Sequence, residues 1–359
     1  MTFRFEEHSD PSELRSPSPP PKTRRFFLNS GLGLGMGLLA NALLPDSGSA
    51  RPGASEPVQF AQGRSRTVRI SYFRNGVLPV LKARGTLERR LARSGVTVQW
   101  FLLQTGPQHF EALSGGQVDI ITTGDAPPVF AQASRVPFTY LAHEPAAPAT
   151  TAILVPRNSS IRTLADLKGK KVAFARGSSA HYVVVQALSR ANLQLSDITP
   201  TFLLPSEARP AFERGSVDAW AIWDPFYASM QRSGNVRVLT DGRGLVQRLE
   251  FYHASPTFVR NNPEIVRVVL DELRQTGAWI NNNQRAAARI LSPELGIDVQ
   301  TLELAYGRIR FGLQPISANI IAEQQKIADT FTRIGLIPRS IRVADAVLPA
   351  PQREALVPR

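Results

Sequence analysis

The apolar positions of this chain fall into short runs separated by polar segments rich in glycine and proline. Residues 67–73, 96–104, 118–124 and 138–142 are runs of the β-branched and aromatic kind that favour strands. Between them, 77–94, 107–113 and 126–133 read as helices. A second series of strands follows at 151–156, 171–174, 199–204, 217–223 and 236–239, with helices near 164–167, 179–191, 208–214 and 225–232. Beyond about residue 257 the pattern is helical, notably over 263–281, 284–291 and 320–334. Strand–helix alternation of this kind predicts parallel β-α-β units. Two such series and a helical tail predict two α/β lobes. Open α/β sheets bind ligands beyond the carboxyl ends of their strands, so two lobes place a ligand in the cleft between them.

The first fifty residues follow another logic. Residues 1–21 are polar and proline-rich and lack the apolar surface needed to fold. Arg24-Arg25-Phe26-Phe27-Leu28 comes next, then an apolar stretch over 32–44 diluted by Gly33, Gly35 and Gly37, then Ser47-Gly48-Ser49-Ala50. Adjacent arginines before an apolar stretch resemble a twin-arginine export signal, and the small residues suit cleavage near Ala50. The apolar stretch, about thirteen residues, makes roughly 20 Å of helix, short of a hydrocarbon core near 30 Å. Residues 1–50 are therefore expected to be a twin-arginine-type signal peptide handled by the twin-arginine translocase. Residues 51–66 are expected to be a flexible linker, and the mature protein to be exported and soluble.

Composition narrows the chemistry. The 359 residues, 43% hydrophobic and 20% charged, suit about two globular domains. There is no cysteine, which excludes disulfides, thiolate metal sites and a cysteine nucleophile. His8, His109, His143, His181 and His253 show no metal-ligand spacing, and no P-loop or nucleophile elbow occurs. No metal, cofactor or catalytic residue is expected. The net charge of +13 lies beyond residue 50, because the first fifty residues are charge-balanced. Such an excess fits small anions, an anionic surface or a basic solvated face. The arginines are scattered and carry no nucleic-acid motif, so no nucleic-acid partner is expected.

The candidate chemistry sits at strand-to-helix junctions, where free N–H groups and the positive helix end favour an anion. These junctions are Phe73-Arg74-Asn75-Gly76, Thr105-Gly106-Pro107-Gln108, Thr123-Gly124-Asp125-Ala126-Pro127-Pro128, Arg176-Gly177-Ser178-Ser179-Ala180-His181 and Trp223-Asp224-Pro225. Taken singly, each also reads as an ordinary helix cap, with Asp125 and Asp224 as capping acids. His181 either donates to an anion or packs, and Trp223 either faces ligand or sits in a core.

These junctions, with Ala165-Asp166-Leu167-Lys168-Gly169-Lys170, the run Trp220-Ala221-Ile222-Trp223-Asp224-Pro225 and the run Glu323–Asp329, resemble the aliphatic sulfonate-binding proteins of ABC importers. The resemblance spans about Val68 to Leu348. It implies a type II periplasmic binding fold: α/β, two lobes joined by a hinge with a ligand cleft between them. Lobe I would hold 67–148 and 247–348, and lobe II 149–246. It implies a periplasmic protein, not an enzyme, that captures alkanesulfonates for an ABC permease in the inner membrane, and a single lobe pair suggests a monomer. The cleft motifs fall on Gln108, Gly124, Asp125, Ser178, Ser179, His181, Trp223 and Asp224. Phe73-Arg74-Asn75 departs from the tyrosine-glutamine-lysine-like run common in the family, so Arg74 and Asn75 are added as candidates for reading the ligand's polar end. Trp223 and the pair Phe251-Tyr252 are candidates for covering an alkyl tail. Taurine, nitrate and bicarbonate are rival ligands of the same fold, with Glu144, Glu207 or Asp224 available to an ammonium. An enzyme of the thiamine-pyrimidine-synthase-like branch is the rival of another class; the desulfinase branch needs a cysteine that this chain lacks.

Overall fold

The computed structural model describes residues 67–357, all within one unit that runs from Ser55 to Arg359. The signal-peptide and linker expectations for residues 1–66 lie outside the described residues. Lobe I begins with β1 (Thr67–Tyr72), whose Val68 and Ile70 are fully buried. Two helices follow, α1 (Val77–Arg84) and α2 (Thr86–Ala92), where the pattern suggests one. Gly85 separates them with φ 62°, a left-handed conformation that residues with a Cβ resist. Then come β2 (Thr97–Leu102), α3 (Gly106–Ser114), β3 (Ile120–Gly124), α4 (Pro127–Ala133) and β4 (Thr139–His143).

The chain crosses to lobe II after His143 and builds β5 (Thr151–Pro156), β6 (Lys171–Phe174), α5 (Ser179–Arg190), β7 (Thr199–Phe202), α6 (Pro205–Glu213), β8 (Ala219–Trp223), α7 (Phe226–Arg232) and β9 (Val236–Asp241). It returns through β10 (Glu250–Ala254) and ends in helices α8 (Pro256–Asn261), α9 (Pro263–Asn282), α10 (Gln284–Leu295), α11 (Val299–Tyr306), α12 (Ala318–Arg333) and α13 (Ala350–Leu356). Among the described residues no helix is long and apolar enough to cross a membrane.

Each lobe holds a five-stranded sheet, ordered β2-β1-β3-β10-β4 in lobe I and β7-β6-β8-β5-β9 in lobe II. The parallel units are present: β1 pairs with β2 and β3, and β6 with β7 and β8. The sheets are nevertheless mixed. β10 runs antiparallel between β3 and β4, and β5 runs antiparallel to β8 and β9. Both are the strands that carry the chain between lobes, so they enter the opposite sheet from its other end. β10 has no counterpart in the sequence reading, because Glu250 and His253 break its apolar run, although His253 is fully buried.

Each lobe has its own core. β1, α1, α9, α10 and α11 share one, with Leu81, Val269, Leu291 and Leu302 fully buried; β5, β6, β8 and α5 share another around Phe174 and Trp220. A third cluster lies on the other face of β3, β4 and β10 with α4 and α12, and Val185 of α5 reaches into it from lobe II. The lobes therefore meet through packed apolar surface as well as through the cleft.

Candidate functional site

The carboxyl ends of β1, β3 and β8 and the start of α5 converge on a small cavity. Of the residues expected at the site, Asn75, Gly124, Ser178, Ser179 and Trp223 line it. Phe73, Gly106, Pro127 and Arg248 complete the wall, and Arg248 is the one charged residue among them. Gly124 is glycine because of what faces it. A Cβ there would lie 2.2 Å from Ser179 Oγ and 3.0 Å from Arg248 Nη1. The two polar groups thus converge on one point, one from each side of the lobe boundary.

Helix α5 opens at Ser179, so its first-turn N–H groups have no carbonyl one turn back. Ser178 is its N-cap. The Ser178 hydroxyl accepts from His181 N–H and donates to the Ala175 carbonyl at 2.7 Å, so it is committed within the turn. Asp125 lies close enough to Ser179 for the hydroxyl to lower its pKa against burial, and its side chain does not cap α4. What this corner offers an anion is therefore chiefly backbone N–H and the helix dipole.

Arg248 supplies the charge, and the sequence reading passed it over. It is 7% exposed and lies on the crossover into β10 with φ 54°, an unusual conformation for a residue with a Cβ. Its Nε donates to Thr151 Oγ1 at 3.2 Å, and its Nη1 to the Leu249 carbonyl at 3.0 Å and to Glu250 Oε2 at 2.9 Å. Burial opposes its charge, but the carboxylates of Glu250 and Asp125 outweigh burial and hold the guanidinium above its ordinary value. The same burial pushes Asp125 up against the pull of Arg248.

The other expected residues lie elsewhere. Gln108 is the third residue of α3 and accepts from the N–H groups of Gln104 and Thr105, closing a capping box. His181 is fully buried against Phe174, with Phe130, Phe202 and Phe331 further out, and its Nδ1 accepts from Gly177 N–H. Asp125 borders a different hollow, beside Tyr182 and Gln324. Asp224 both caps α7, accepting from Ala228 N–H at 3.0 Å, and pairs with Arg308, whose Nη1 lies 2.6 and 2.7 Å from its two oxygens. Arg308 also donates to Gln231 and stacks over Tyr227 at 3.9 Å. It follows α11 of lobe I, while its partners belong to lobe II, so it clasps one lobe to the other. Burial, more than its pairing with Arg308 offsets, pushes Asp224 up to about 6.

Two hollows adjoin the cavity. One is the cleft mouth, walled by Phe73, Leu102 and Leu103 of lobe I and Trp223 and Phe226 of lobe II, with Arg74 at its rim donating to the Leu295 carbonyl. The other shares Asn75 and Arg248 and is bordered by Thr122, Glu144, Glu250 and Tyr252. Glu144 accepts from Tyr252 Oη at 2.9 Å and from Gly312 N–H at 2.8 Å, and burial raises it to about 7. Of the pair proposed to cover a tail, Tyr252 borders this inner hollow, while Phe251 is fully buried against Tyr140.

His181 gives a pH prediction. Burial, helped by the charge of Arg176, lowers it to about 4 from 6.5. Below pH 6.5 the unfolded chain takes up a proton that the native chain refuses, so stability is lost as pH falls from about 6.5 to 4, by about 3 kcal/mol. His109 and His253, also buried and lowered, add to the same acid limb. His181→Gln keeps an acceptor for Gly177 and cannot titrate. Unfolding followed against pH should show a shallower acid limb with anion affinity unchanged; an affinity loss would return His181 to the ligand.

Two α/β lobes, two crossovers and an anion-ready cavity between them define a bilobal solute-binding protein. Residues 83–278 match the family described as "ABC transporter, phosphonate, periplasmic substrate-binding protein". The putative aliphatic sulfonates-binding protein of Escherichia coli K12 is 37% identical over 82% of this chain and 92% of its own length. The crystal structure of the periplasmic aliphatic sulphonate binding protein SsuA from Escherichia coli matches at 36% identity and TM-score 0.72, over 79% of this chain and 92% of that one. The alkanesulfonate-binding protein SsuA from Xanthomonas axonopodis pv. citri, bound to MOPS, matches at 36% and TM-score 0.76, over 80% of this chain and all of that one. The chain belongs to the aliphatic sulfonate-binding proteins, a group of periplasmic substrate-binding components of ABC transporters. Members of that family are transport components, so the reading as a binding protein and not an enzyme stands on membership.

Proposed function

We propose that this protein captures aliphatic sulfonates in the periplasm and delivers them to an ABC permease. The observation that carries the reading is the meeting of Arg248 with the start of α5 at Gly124, in a relative of a protein crystallised with the sulfonate MOPS. A sulfonate stays ionised at physiological pH and presents three acceptor oxygens. The Arg248 guanidinium and the Ser179 and Ala180 N–H groups are donors placed for them, with Asn75 beside. The tail runs into the cleft mouth between Leu102, Leu103, Trp223 and Phe226, gaining about 0.8 kcal/mol per buried methylene. Ligand that touches both lobes favours the closed arrangement, and the permease reads that state. Export through the twin-arginine translocase and a monomeric state complete the proposal.

The inner hollow favours a second reading. Glu144 there suits an ammonium, and the chain is 27% identical, over 48% of its length, to the taurine-binding periplasmic protein of Escherichia coli K12. Thermal unfolding of residues 51–359 against methanesulfonate, longer alkanesulfonates, taurine, nitrate and bicarbonate tests both. A ligand at a hundred times its Kd adds about 2.7 kcal/mol. A shift growing along the alkanesulfonates supports the first reading, and one with taurine alone the second. A shift with nitrate or bicarbonate alone changes the substrate, and none at all sinks the sulfonate reading.

A further inference from the structure

A sulfonate and a phosphonate with the same tail have nearly the same shape, each with three oxygens around a tetrahedral centre. They differ in charge: the phosphonate loses a second proton near neutral pH. The family model that this chain matches is described by phosphonate, so how the site tells the two apart has consequences. Arg248 is the single cation lining the cavity among the described residues, and Glu250 Oε2 lies 2.9 Å from its Nη1. Glu250 is itself fixed by Thr122 Oγ1, which donates to Oε1 at 2.9 Å. Asp125 is 2% exposed, directly follows Gly124 of the cavity wall, and its charge acts on that of Arg248. Its Oδ1 has no hydrogen-bond partner among the described residues. Glu144 stands in the adjoining hollow, and the charge of Asp224 is taken by Arg308. One guanidinium flanked by two carboxylates has room for one negative charge, and a second would meet those carboxylates without a counter-ion.

We propose that Glu250 and Asp125 make the site a charge filter, which accepts the singly charged oxyanion head of a sulfonate and rejects the doubly charged head of a phosphonate or a sulfate ion. The filter rests on the sulfonate reading above and names its selectivity. Repulsion between neighbouring like charges at an effective dielectric constant near 20 is enough for discrimination on the order of a hundredfold. Backbone N–H groups alone give no such preference, because they bind either head.

Calorimetric titration of residues 51–359 with propanesulfonate, propylphosphonate and sulfate tests this. Propanesulfonate is expected to bind at least a hundredfold tighter than the phosphonate dianion. The phosphonate should tighten as pH falls through its second ionisation, relative to the sulfonate measured at the same pH, which cancels titration of Glu144 and Asp224. Glu250→Gln and Asp125→Asn, each alone, should narrow the sulfonate-to-phosphonate ratio about tenfold or more. Equal binding of sulfonate and phosphonate dianion by the unaltered protein overturns the filter and leaves the sulfonate reading standing. A ratio unchanged in both variants does the same. Failure of propanesulfonate itself to bind overturns both.

Discussion

Arg248→Gln is expected to cost this protein its anion affinity by a hundred- to a thousandfold. Removing one partner from a buried, hydrogen-bonded charge pair costs about 2–5 kcal/mol, and each 1.4 kcal/mol is tenfold in Kd. Here the loss is compounded. The variant removes the one cation that lines the cavity among the described residues and leaves the Glu250 carboxylate behind it without its counter-charge, so an attractive site becomes a repulsive one. The same change destabilises the fold, because Glu250 loses its charged partner and the Thr151 hydroxyl and Leu249 carbonyl lose a donor. The double variant Arg248→Gln, Glu250→Gln separates the two effects. It removes the uncompensated carboxylate, so thermal stability should recover much of the way while sulfonate affinity stays lost. Affinity that recovers along with stability would make Arg248 a structural brace and move the anion elsewhere.

That the sequence reading passed over this arginine has a physical cause. Gly124, Ser178, Ser179, Asn75 and Trp223 sit where a strand hands over to a helix or turn, and those junctions carry a local signature of glycine and small polar residues. Arg248 sits on a crossover between lobes, where its bond to Thr151 and its place beside Gly124 depend on contacts remote in sequence. It is also one of 42 basic residues in the chain, so its type carries no information. The faint local signals are the i, i+2 spacing of Arg248 and Glu250 at the start of a strand, where alternate side chains share a face, and the interrupted apolar run behind them. Arg308 is harder still, lying in a turn of the helical tail with partners in the other lobe. Gln108 shows the opposite fault. Thr105-x-x-Gln108 is a capping-box pattern legible from sequence, and the structure spends Gln108 on that box. His181 was ambiguous for a sound reason: the third position of a helix faces either the anion or the core, and the ring of phenylalanines that decides it comes from α4, β6, β7 and α12. Two lobes and alternating strands were legible because they are local; the antiparallel strands were not, because their direction is set by which lobe the chain has just left.

Gly124→Ala is expected to weaken sulfonate binding by about ten- to a hundredfold while leaving each lobe folded. Gly124 needs no left-handed backbone, so alanine brings no conformational strain at this position. The cost is steric and lies at the lobe boundary. The new methyl would sit 2.2 Å from Ser179 Oγ and 3.0 Å from Arg248 Nη1. The serine hydroxyl can rotate aside. The guanidinium cannot easily follow, since three bonds to Thr151, Leu249 and Glu250 hold it. The methyl therefore occupies the space where a sulfonate oxygen would lie, or it props lobe II away from lobe I. Overpacking of this kind costs about 1–3 kcal/mol. The two outcomes separate experimentally. If the methyl only fills the cavity, small-angle scattering without ligand matches the parent protein and affinity alone falls. If it props the lobes, the ligand-free protein is more open and Arg308→Ala, which releases the Asp224 clasp, opens it no further. Unchanged affinity in Gly124→Ala would mean that the anion does not lie between β3 and α5, and the site built here on Gly124, Ser179 and Arg248 would have to be given up.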